Sequence, residues 1–301
     1  MIDGLAVVDK PAGMTSHDVV SRCRKVFGQK KVGHAGTLDP DATGVLLVGL
    51  GRATRLMQYM SGLAKSYTTS IVLGVSTTTL DAAGEVTGEW DMSAVGPDDV
   101  RRAAAALTGV IHQVPPMVSA VKVGGRRLHE LARQGIEVER QAREVTVTRF
   151  ALAEPPAGWG PHPVLRAEID CSSGTYIRVL AEDLGRALGG GAHVRDLRRT
   201  AVGPWSEADA VALDDLGPAH VRPPADAVPW LAAVTVADAG LEAAVRHGRV
   251  LDHDQLGCQG PGPWRVLGPA GDLLAVYEAH RAGLAKPRVV LGAGSPDRPG
   301  H

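Results

Sequence analysis

Apolar and polar positions along this chain follow two periods, and the shift from one to the other outlines its elements. Residues 5–9 (Leu-Ala-Val-Val-Asp) read as a short strand closed by a Lys10-Pro11-Ala12-Gly13 turn. Thr15 or Ser16 can cap a helix with apolar positions Val19, Val20, Cys23, Val26 and Phe27. The run Val45-Leu46-Leu47-Val48-Gly49-Leu50 reads as a buried strand, and a short helix with Leu56, Met57 and Met60 on one face follows it. Residues 67–74 are rich in β-formers and predict a strand. An alanine-rich helix is predicted over 98–107, stopped by Gly109. Leu165, Ala167, Ile169 and Cys171 alternate with polar partners, the signal of a half-buried strand. A helix then carries Ile177, Leu180, Ala181, Leu184 and Leu188 on one face and ends at Gly189-Gly190-Gly191. The pattern is α+β rather than a regular βαβ alternation.

Residues 111–143 are rich in Gly, Pro and Arg around a short helical piece at 129–133, and read as a long excursion from the core. Four prolines (Pro218, Pro223, Pro224, Pro229) mark 217–229 as the domain boundary. Beyond it a short helix near 240–247 and strands near 264–268, 273–277 and 288–292 predict a small β-rich module. The tail from 292, and 295–301 above all, reads as disordered. The expected division is a catalytic unit over 1–228, a module over 229–294 and a tail over 295–301.

With 301 residues, 44% of them hydrophobic, the chain can bury a sizeable core. Its three cysteines are far apart, without metal or disulfide spacing, which fits a reducing cytoplasm. No signal peptide is visible and no apolar run approaches the length needed to cross a bilayer. The formal net charge of −1 argues against a nucleic-acid partner, but its distribution argues the other way. Seven basic residues face two acidic ones over 21–55, and seven face four over 119–149. Segregated charge of this kind can present a basic face to phosphates.

The candidate chemistry centres on one aspartate, in Gly33-His34-Ala35-Gly36-Thr37-Leu38-Asp39-Pro40-Asp41-Ala42-Thr43-Gly44. Glycines bracket Asp39 and Pro40 follows it, which describes a rigid, shaped loop against the strand that comes next. A carboxylate held so can serve as a nucleophile or general base, although most Asp-Pro turns are only turns. Three more segments look over-specified for a plain core: residues 9–16 around Lys10-Pro11, Lys65-Ser66-Tyr67, and Ser172-Ser173-Gly174-Thr175-Tyr176-Ile177-Arg178. In the last, an arginine stands where a strand gives way to a helix and can hold a carboxylate ionised.

Together these segments, with Ser119-Ala120-Val121-Lys122 and Leu197-Arg198-Arg199-Thr200, resemble the bacterial TruB family of tRNA pseudouridine synthases. The resemblance implies a pseudouridine synthase fold, with a central, mostly antiparallel sheet flanked by helices and a small C-terminal PUA-like RNA-binding domain. It implies isomerisation of uridine 55 in the T arm of tRNA, with no metal, nucleotide or redox cofactor. Asp39 would be the nucleophile and Arg178 the partner that depresses its pKa. His34, Tyr67, Tyr176, Arg178 and Leu197 would bind the flipped nucleoside. Lys10, Arg55, Lys122, Arg126, Arg127, Arg198 and Arg199 would contact RNA, Arg55 standing where relatives often carry lysine. The expected partner is tRNA, with no membrane, no obligate protein partner and a monomeric state in the cytoplasm.

Two alternatives stand beside this reading. Asp39-Pro40-Asp41-Ala42-Thr43 formally fits the Asp-x-Asp-x-Thr loop of Mg²⁺-dependent aspartyl phosphatases, but that loop needs an apolar strand before its first aspartate, and here the strand comes after. A non-catalytic tRNA-binding or folding chaperone would use the same basic face without the chemistry.

Overall fold

A computed structural model gives the fold of the chain, describing residues 1–291 apart from 118, 120–121, 124–125, 128–133, 135, 137 and 154–159. The expected helical piece at 129–133 and the expected tail at 295–301 lie outside the described residues. The alternation that begins at Leu165 builds the strand Val164–Cys171, and its apolar face packs on the helix Ile177–Ala187 through Ile177, Leu180, Ala181 and Leu184. That strand belongs to a ten-stranded sheet. Across the sheet the main order is Val211–Ala212, Gly4–Lys10, Thr43–Leu50, Ala192–Val202, Lys65–Leu73, Val164–Cys171, Arg143–Leu152 and Gly109–Gln113. Val32–Ala35 pairs with Thr43–Leu50, and Trp205–Ser206 with Ala192–Val202. The pairing is antiparallel except between Gly4–Lys10 and Val211–Ala212, and where Arg198 and Arg199 meet Thr43 and Gly44.

That second parallel contact joins the two halves of the sheet and is unusually close. A Cβ on Gly44, whose φ is +100°, would lie 2.2 Å from the Arg199 carbonyl oxygen, so glycine is required there. The Ala192–Val202 strand is irregular beside it. Its register against Lys65–Leu73 shifts between Arg195 and Arg198 and again between Arg199 and Ala201, and Asp196 takes a φ of +55°. A bulge breaks the period of two and re-aims the side chains next to it. This explains why alternation did not reveal this strand, and a shift between Val147 and Arg149 has the same effect in Arg143–Leu152. Because Gly109–Gln113 pairs with the start of Arg143–Leu152, residues 111–113 and 143 belong to the sheet and the excursion is shorter than expected.

The helix Ser16–Val26 is capped by Thr15, whose hydroxyl accepts from the Asp18 N–H while the Asp18 carboxylate accepts from the Thr15 N–H. The C-terminal region forms a five-stranded sheet, with Ala232–Thr235 and Leu251–Asp252 in addition to the three expected strands. One face has its own core around Val245, Trp264 and Tyr277. From the other, Leu273, Val276, Val289 and Leu291 join a cluster with Leu5, Val45, Leu56 and Met60. The proline-rich stretch between the two parts is also tied down, since Leu5 and Arg222 exchange backbone hydrogen bonds of 2.9 and 2.8 Å. Among the described residues no helix is long and apolar enough to cross a membrane.

Candidate active site

The loop before Thr43–Leu50 carries Asp39 to the junction of the two half-sheets. Its backbone is held largely by side chains from elsewhere. Arg199 donates to the carbonyls of Gly36 (3.2 Å), Thr37 (3.3 Å) and Val45 (2.7 Å). Lys10 donates to Pro40 O (2.8 Å), and also to Pro11 O and Met14 O. Ser16 Oγ donates to Leu38 O (3.2 Å) and accepts from Leu38 N (2.9 Å). At Gly36 the φ of +82° turns the chain above Lys65 and Arg199.

Arg178 enters from the first turn of the helix Ile177–Ala187. Its Nε lies 3.0 Å from Asp39 Oδ2, its Nη1 lies 3.6 Å from Asp81 Oδ2, and it donates to Thr79 O at 2.7 Å. The guanidinium is buried, whereas 38% of the Asp39 side-chain surface stays open. Gln113 steadies the start of this helix: its side chain accepts from Tyr176 N (2.9 Å) and donates to Tyr176 O (3.3 Å). Burial pushes the Asp39 carboxyl above the ordinary aspartate range. The Arg178 charge and hydrogen bond pull it back, Lys10 helps, and Asp81 adds to the push. The expected downward effect of Arg178 is present, but burial outweighs it.

One side of Asp39 opens into a cavity of about 250 Å³ lined by Tyr67, Tyr176, Arg178, Leu197 and Arg199. Tyr67 projects from Lys65–Leu73, almost fully buried, with the Arg199 charge close to its phenol. Burial raises its pKa, against the pull of Arg199. Leu197 follows the bulge at Asp196 and also lines a second cavity, of about 420 Å³, on the other side of Asp39. Planar side chains, an open carboxylate and a buried cation suit a flat, uncharged heterocycle attacked by the carboxylate. Among the described residues no three His, Cys, Asp or Glu side chains converge as a metal site would need.

The remaining expected residues fall elsewhere. His34 stands on Val32–Ala35 outside both cavity linings, in edge-to-face contact with His17 (5.2 Å between centroids). Burial lowers its pKa, as does the charge of His17. Lys10 and Arg199 are corrected from RNA contacts to internal supports: both are 0% exposed, with donors turned on backbone carbonyls. Burial brings the Lys10 amine down to about 8. Arg198 is half-buried between the carboxylates of Asp9 (2.9 Å) and Glu207. Arg55 is exposed and reaches Val290 O (2.7 Å). Lys122–Val123 and Arg126–Arg127 pair antiparallel, with the side chains of Lys122, Arg126 and Arg127 outside the described set. The sequence reading missed Asp81 and Ser16. Asp81 stands 42 positions after Asp39 and carries no motif of its own, and Ser16, though it ends the over-specified 9–16 segment, was given no role beyond a helix cap.

Comparison with known proteins identifies the family. The model of the TruB family pseudouridylate synthase N-terminal domain matches residues 24–177, and that of the tRNA pseudouridylate synthase B C-terminal domain matches 178–228. The tRNA pseudouridine synthase B of Thermobifida fusca is 48% identical over 98% of this chain and 100% of its own length. That of Symbiobacterium thermophilum is 50% identical over 82% of each. Among solved structures, a chain of a Cbf5-Nop10-Gar1 complex superposes with a TM-score of 0.69 at 29% identity, covering 93% of this chain and 79% of the other.

Proposed function

The chain belongs to the TruB family of pseudouridylate synthases, and from that premise we propose that it converts uridine 55 in the T arm of tRNA to pseudouridine, with Asp39 as nucleophile. The observation that carries this reading is the Asp39–Arg178 pair at the mouth of a cavity walled by Tyr67, Tyr176 and Leu197.

The target base lies inside a folded loop and has to be flipped out, at a cost of a few kcal/mol in stacking. Tyr67 and Tyr176 offer faces on which the uracil stacks once it enters. Asp39 attacks the nucleoside as a carboxylate, and Arg178 and Lys10 favour that ionised state against burial. The N1–C1′ bond breaks, the base turns within the cavity, C5 bonds to C1′, and the bond between Asp39 and the nucleoside breaks to restore the carboxylate. C5 then loses its proton and N1 gains one, so the reaction is an isomerisation without net redox change. Asp81 keeps Arg178 oriented through its Nη1. His34, on Val32–Ala35 outside both cavities, supports the extruded strand. Arg55 and Arg198, with Lys122, Arg126 and Arg127 of the excursion between Gly109–Gln113 and Arg143–Leu152, neutralise phosphates. Residues 1–228 form the catalytic unit and 229–294 a PUA-like RNA-binding module.

The test is tritium release from a T-arm RNA labelled at C5 of uridine, by wild-type protein and Asp39→Ala, in EDTA. Release at position 55 by the wild type alone is the expected result, with RNA affinity kept within severalfold. Equal release by both proteins would refute the role of Asp39. RNA binding without release by either would favour a non-catalytic folding role.

A further inference from the structure

Ser16 is 1% exposed and opens the helix Ser16–Val26, yet it does not cap it, because Thr15 does. Its hydroxyl is turned away from the helix. It donates to the carbonyl of Leu38 and accepts from the N–H of Leu38, the residue directly before Asp39. Leu38 is itself 4% exposed, so losing that partner leaves its peptide groups poorly compensated. Gly36 and Thr37 are held by Arg199 and Pro40 by Lys10, which leaves Leu38 to Ser16.

We propose that Ser16 is a positioning residue for the reaction: its hydroxyl fixes the Leu38 peptide so that the Asp39 carboxylate meets Arg178 and the cavity at once. The inference rests on the reading of Asp39 as nucleophile. A small displacement is enough to matter, since a misplacement of about 1 Å at a reacting group can cost roughly a hundredfold in rate. The groups that face the Asp39 carboxylate are Arg178, Asp81 and Lys10, with Arg199 and Tyr67 farther into the cavity. Of these, Arg178 is the one whose 3.0 Å contact depends on where the loop sits. Weakening it removes a downward pull on the carboxyl pKa, so the acid limb of the rate profile moves to higher pH.

The experiment compares Ser16→Ala, Ser16→Cys and Ser16→Thr with wild type and Asp39→Ala, by single-turnover tritium release from the labelled T-arm RNA across pH. Thermal melts establish that each variant is folded at the assay temperature. Cysteine keeps the volume but bonds poorly, and threonine keeps the hydroxyl. The expected result is a rate loss of about tenfold or more for Ala and Cys. The acid midpoint should shift upward, RNA affinity should stay within twofold, and Thr should recover most of the rate. Should Ala fail to fold, Cys decides. Wild-type rate in folded Cys, or a slower rate with an unmoved acid midpoint, overturns the proposal. Turnover by Asp39→Ala would instead overturn the reading it rests on.

Discussion

Replacing Arg199 by methionine separates an internal support from an RNA contact. The side chain is 0% exposed and donates to the carbonyls of Gly36, Thr37 and Val45. Methionine fills much of the same space but leaves those three carbonyls without this partner. A buried polar group left unpaired costs about 1–3 kcal/mol. Removing a cation that burial already disfavours offsets part of the sum. A net loss on the order of 3 kcal/mol follows, or roughly 5 °C in Tm. The freed loop carries Asp39, so single-turnover tritium release should fall by about a hundredfold. RNA binding measured against salt gives the decisive readout. Loss of a phosphate contact reduces the slope of log affinity on log salt by about 1, whereas loss of a buried support leaves it unchanged. An unchanged Tm with a slope reduced by about 1 would refute the reasoning.

Two further outcomes are expected. The rate should fall as pH drops through a midpoint above 3.8, because burial raises the Asp39 pKa and the attacking form is the carboxylate. Arg178→Gln should move that midpoint higher still, and a wild-type midpoint at or below 3.8 would contradict the burial argument. A chain ending at residue 228 should melt well below the full chain, since Leu273, Val276, Val289 and Leu291 are buried in the same cluster as Leu5 and Val45. Each such side chain is worth about 1.5–3 kcal/mol when buried. A truncated protein with the full-length Tm would show two independent units.

Much of this protein was legible in its sequence because the signals are local. The period of two at 165–171 and the apolar face of 177–188 depend only on near neighbours, and both elements form where expected. The Gly and Pro spacing around Asp39 likewise describes a stiff loop without reference to the rest of the chain. The strands Arg143–Leu152 and Ala192–Val202 were not legible, because bulges break their alternation and bulges answer to the partner strand. The roles of single polar residues were least legible. Lys10 and Arg199 carry the same charge as a phosphate-binding residue, and carbonyls turn them inward, those on Arg199 all distant in sequence and those on Lys10 both local and distant. Asp81 meets Arg178 through a loop 97 positions earlier in the chain, and Ser16 reaches Leu38 across 22. Sequence set which segments are stiff, apolar or charged. Tertiary structure decided which charges face solvent, because burying a cation depends on the acceptors that other segments bring to it.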